Sequence, residues 1–101
     1  MAAQYLPPEG WTSELGSMTA ASDAYAAAAT LCFAASGQPP FGSKSVLQVM
    51  ADVLTLKRLP KVPETVPEPL RSALRGALVS QPGERTTVAE MLRAARETRR
   101  A

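Results

Sequence analysis

Nine side chains in this chain are acidic, and Asp23 and Asp52 are the only aspartates among them. Histidine is absent, which removes His-based general-base catalysis and His metal sites. A single cysteine, Cys32, excludes an intramolecular disulfide and a Cys-rich zinc site, and in an apolar run it reads as a small buried hydrophobe. Ser13, Ser17, Ser22 and Ser36 have no base beside them, and no Gly-x-Ser-x-Gly elbow occurs. Glu64 and Glu68 flank a proline-rich loop, where a solvated surface is the simpler reading than acid–base work. Asp52 lies in a helical stretch with no neighbouring metal ligand. Glu9 and Arg85 lie 76 residues apart. On spacing alone both read as solvated surface residues worth almost nothing.

The elements that must position these groups are few. The 101 residues suffice for one domain, able to bury roughly 65% of its unfolded surface. Apolar residues make up 46% and aromatics only 5%, with alanine prominent, so a thin helical core is expected. Eleven basic against nine acidic residues give a net charge of +2, too even to indicate a nucleic-acid partner. No run reaches the ~18 apolar residues of a membrane span, and Met1–Gln4 lacks a signal-peptide start. The chain is therefore expected to be soluble, cytoplasmic and free of membrane and nucleic-acid contacts.

Proline and glycine divide the sequence into an irregular arm (1–18) and four helical stretches. Residues 19–36 are alanine-rich and, from Tyr25 onward, apolar on nearly every face, which predicts a helix of the kind buried on all sides that ends at Gly37 and, where neighbours are missing, exposes an apolar patch. Residues 45–56 place Val46, Val49, Met50, Val53 and Leu54 on one face. Four prolines between Leu59 and Pro69 predict an extended loop. A third helix is expected over 67–79, with Glu68 at its positive end and Leu70, Leu74, Ala77 and Leu78 inward. The last, over 87–98, opens with the capping box Thr87-Val88-Ala89-Glu90. Val88, Met91, Leu92 and Ala95 are expected inward, and Arg93, Arg96, Arg99 and Arg100 outward or at the helix end, the last three residues being a basic tail. No segment has a convincing strand period, so the fold class is all-α.

The order of short motifs is more telling than any one of them. Tyr5-Leu6-Pro7-Pro8-Glu9 is followed, fourteen residues after Glu9, by Asp23-Ala24-Tyr25-Ala26, then by Gly37-Gln38-Pro39-Pro40-Phe41 and by Pro82-Gly83-Glu84-Arg85. Over about residues 1–98 this series resembles the C-terminal part of the helical lobe of a bacterial eukaryotic-like Ser/Thr protein kinase. The resemblance implies that Pro7-Pro8-Glu9 stands for the family's Ala-Pro-Glu and Asp23 to Ala28 for the opening of its central helix. It also implies that Arg85 pairs with Glu9, and that Asp23 accepts amide hydrogen bonds from a catalytic loop. That loop has no counterpart here, so Asp23 is expected either to act as a carboxylate at a helix N-terminus, the favoured outcome, or to keep unmet acceptors. Departures occur at Ala26 and Ala28, which replace the family's serine and glycine, at Gln81-Pro82 in place of Asp-Pro, and at Met1 and Ala2, which stand where Gly-Thr is usual.

Phosphoryl transfer needs a phosphate-covering Gly-rich loop, a strand lysine, a catalytic Asp and Asn, and a metal-binding Asp. No Gly-x-Gly-x-x-Gly, His-Arg-Asp or Asp-Phe-Gly is present, so by this reading the chain is not an enzyme on its own and binds no ATP or Mg²⁺ unless joined to a complete kinase domain. The expected role is a non-catalytic, pseudokinase-like fragment that binds a protein partner or itself. The expected surface involves Val46, Met50 and Leu31, and the structural residues are Glu9, Arg85 and Asp23. The alternative is a piece of an active Ser/Thr kinase. Leu31→Asp is expected to abolish the thermal transition if the 25–35 helix is packed all round.

Overall fold

The computed structural model describes residues 3–12, 16–42, 44–54 and 60–100. Five α-helices follow one another: α1 (Pro8–Trp11), α2 (Ala20–Ser36), α3 (Val46–Leu54), α4 (Leu70–Ala77) and α5 (Val88–Arg100). Two 3-10 turns, Ala3–Tyr5 and Pro82–Glu84, complete the regular structure, and the described residues contain no strand. The arm expected to be irregular thus holds a 3-10 turn and a one-turn helix. Pro8 falls at the start of α1, where its fixed φ suits a helix and its missing N–H costs no bond.

α2 forms the centre. Thr19 caps it, its Oγ1 accepting from the Ala21 amide at 3.2 Å while its own amide donates to Ser22 Oγ at 2.9 Å. Gly37, at φ 73°, ends it in the left-handed conformation. Ala24, Tyr25, Ala28, Ala29 and Cys32 lie in the core with Val66, Leu74, Ala77, Leu78 and Met91. α4 and α5 pack on each other and on α2, whereas α3 packs on α1 and the Ala3–Tyr5 turn and buries Val49, Asp52 and Val53. At eight residues, α4 is too short to be stable alone, so its order comes from burying Leu74 and Ala77.

Three expectations need correction. α2 is not buried on all sides: its partners cover the Tyr25 face, leaving Leu31 43% and Phe33 42% exposed. The inward stripe of α5 is Met91 and Ala94, with Val88 40% and Leu92 55% exposed and Ala95 half-buried. α4 begins at Leu70 rather than Pro67, because Pro69 disfavours helical backbone at Glu68, the residue before it. Glu68 serves its start all the same, accepting from the Ser72 amide at 2.8 Å and from the Ser72 hydroxyl. The expected end of the 45–56 helix and the start of the following loop lie outside the described residues, as do the side chains of Arg99 and Arg100.

The α4–α5 hairpin is fastened at both ends. At the closed end the Thr86 amide donates to Gly76 O at 3.1 Å. At the open end Thr98 Oγ1 accepts from the Leu70 amide at 3.1 Å and donates to Ala94 O. The Thr87–Glu90 capping box is formed, with amide-to-side-chain distances of 3.0 and 3.1 Å.

Candidate functional site

α1 and the Pro82–Glu84 turn bring Glu9 and Arg85 together across 76 residues of sequence. The contact is bidentate: Nη1 to Oε2 at 2.5 Å and Nη2 to Oε1 at 2.7 Å, with side-chain exposures of 1% for Arg85 and 0% for Glu9. Arg85 also donates from Nε to Val79 O at 2.9 Å, from Nη1 to Ala21 O at 3.0 Å and from Nη2 to Ser80 O at 3.2 Å. A guanidinium has five N–H donors, and all of them are used. Arg85 Cζ also lies over the Tyr25 ring, 5.1 Å from its centroid, a cation–π distance.

Glu9 is satisfied from a second direction. Ser22 Oγ donates to its Oε2 at 2.6 Å and accepts from the Thr19 amide, so one hydroxyl joins the α2 cap to the ion pair. Burial alone would raise the Glu9 carboxyl, but the hydrogen bonds from Arg85 and Ser22 and the Arg85 charge hold it below the usual range. Burial pushes the neighbouring Tyr25 hydroxyl up, away from ionisation, and that hydroxyl has no hydrogen-bond partner among the described residues. The arrangement is a structural tie: it holds charge and orientation but presents neither nucleophile nor base to solvent.

Asp23 stands apart from this cluster. It lies exposed in the first turn of α2, and its carboxylate has no hydrogen bond among the described residues. The three residues expected to form an interaction surface are scattered over two helices: Val46 is 58% exposed, Met50 is half-buried on α3, and Leu31 is on α2. Sequence reasoning missed the bridging role of Ser22. The Thr19-x-x-Ser22 spacing, a capping box in outline, could have signalled half of it. It also missed the ion pair of Lys44 with buried Asp52, for which no local pattern exists. Gln4 escaped notice too, though its amide accepts from Phe41 N and donates to Gly42 O, both at 2.9 Å.

Among the described residues no three His, Cys, Asp or Glu side chains cluster to hold a metal, and no helix is long and apolar enough to cross a membrane. No family model matches the chain. Among curated proteins, it is 34% identical over 92 residues to the serine/threonine-protein kinase PkaA of Streptomyces coelicolor. That match covers 91% of this chain but 16% of PkaA. Over nearly its whole length, then, the chain is similar to one segment of a serine/threonine-protein kinase.

Proposed function

We propose that the chain is a non-catalytic, kinase-like helical module, equivalent to the rear of a kinase helical lobe, that acts by binding protein. The observation carrying this reading is the bidentate Glu9–Arg85 pair. It joins the two positions at which the kinase resemblance implies a structural tie, in a chain similar to part of PkaA. Catalytic and metal-binding motifs of phosphoryl transfer have no counterpart in the sequence. Exposed Val46 on α3 and Leu31 on α2, with half-buried Met50, support a protein partner or a second copy as what is bound. Purified chain supplied with Mg²⁺, labelled ATP and a general protein substrate is expected to transfer no label. Label transfer by the chain alone would overturn the reading.

A second reading is favoured by the match covering 16% of PkaA. In it, the chain is the helical end of an active, ATP-dependent kinase. Asp23 would then anchor a catalytic loop, and Glu9 and Arg85 would fix the activation segment. Peptide mass spectrometry on source cells separates the two. Peptides joined upstream of Met1 and carrying His-Arg-Asp favour the second, and a 10.7 kDa product favours the first.

A further inference from the structure

A cleft of about 780 Å³ lies away from the Glu9–Arg85 pair, between the C-terminal end of α2, the turn after it, α3 and the segment 61–63. That volume falls within the range of small-molecule sites. Its walls carry Pro40, Phe41 and Pro63, and buried Cys32 also lines it. Proline and phenyl rings present flat apolar faces without hydrogen-bond donors, which suits a planar apolar body. Ser36, at the edge, is already committed, its hydroxyl bonded to Cys32 O at 2.9 Å and Gln38 O at 3.2 Å.

The charges facing the cleft are Lys44, Asp52 and Lys61. Lys44 is bound to the buried Asp52 carboxylate, so that pair adds no net charge and leaves no carboxylate for a cation. Lys61 is exposed and has no hydrogen bond or ion pair with any described residue. The cleft therefore combines ring-lined walls with one uncommitted ammonium at its rim.

We propose that this cleft binds a small planar aromatic carboxylate, its ring against Pro40, Phe41 and Pro63 and its carboxylate on Lys61 Nζ. Charge complementarity selects the anion, since the Lys44–Asp52 pair in the lining adds no net charge beside Lys61. The site needs no part of the kinase resemblance and stands or falls without it.

The test titrates 2-naphthoate, and its neutral counterpart 2-naphthalenemethanol, into the full ¹⁵N-labelled chain. Naphthoate is expected to shift the amides of Phe41, Lys44 and Lys61. Lys61→Gln, a change at an exposed position, is expected to weaken naphthoate roughly threefold, the size of an exposed ion pair, and to leave the alcohol unchanged. Ser36→Trp, which fills the edge, is expected to remove both. Shifts centred on Leu31 and Phe33, equal effects of Lys61→Gln on the two ligands, or no shifts at millimolar naphthoate would each overturn the proposal.

Discussion

Glu9–Arg85 and Lys44–Asp52 each put one buried carboxylate beside a cation, yet the two pairs are built differently. Arg85 is as buried as its partner and spends every donor on oxygen atoms of Glu9, Ala21, Val79 and Ser80, while Ser22 donates to Glu9 from another direction. Lys44 has a 40% exposed side chain and one partner, eight residues away. The first pair joins the arm, the start of α2 and the turn before α5. The second joins the two ends of one short stretch. Burial of both partners and completeness of the hydrogen bonding, rather than opposite charge, decide which of them holds the fold.

The comparison breaks most visibly at Arg85. Arg85→Ala strands the Glu9 carboxylate and is expected to cost about 3–5 kcal/mol, read as a shift in the urea midpoint. A loss below ~2 kcal/mol would put the two pairs on one footing. The same pair makes stability depend on pH. The Glu9 carboxyl is held low in the folded chain, so its contribution is fully present above the ordinary unfolded value of ~4.3 and is lost as pH falls through the lower folded value. Urea midpoints measured from pH 7 down to pH 3 should fall less steeply in Arg85→Ala than in the parent chain. Ser22→Ala removes one of Glu9's contacts and the acceptor of the Thr19 amide, for an expected loss of about 1–2 kcal/mol. Lys44→Ala sharpens the contrast: it leaves the buried Asp52 carboxylate without its partner, but the lysine's 40% exposure lets water reach the site, and the expected cost is about 1–2 kcal/mol, below that of Arg85→Ala. Smallest is Leu31→Asp, for which the exposed position predicts a melt within ~0.5 kcal/mol of the parent rather than the lost transition expected of an all-round buried helix.

What could be read from the sequence was local. The Thr87–Glu90 box and the Gly37 stop each involve groups within four residues, so residue type and spacing specify them. α1 was hidden because Pro7, Pro8 and Gly10 look like punctuation, although a proline at the first helical position favours the turn that forms. The faces of α2 and α5 were misjudged for a different reason. Periodicity says where apolar side chains gather on a helix, but coverage depends on which neighbours exist, and here they reach Met91 and Ala94 and not Leu92. The meeting of Glu9 and Arg85 was expected from the kinase resemblance and not from their spacing. Lys44–Asp52, Gln4 with the 39–42 turn, and Thr98 with Leu70 gave no pattern, because the fold alone brings them together.

Thr86 and Thr98 give the α4–α5 hairpin a fixed gauge. One pin sits where the chain reverses and the other where the helices would otherwise splay, so the residues between them must span a set length. A one-residue insertion in α5 between Ala89 and Ala94 would turn everything beyond it by about 100° and lift it by 1.5 Å. Thr98 would then leave the Leu70 amide while Thr86 stayed on Gly76. The hairpin tolerates changes of side chain along its outer face but not of count, and its register is measured from both ends at once.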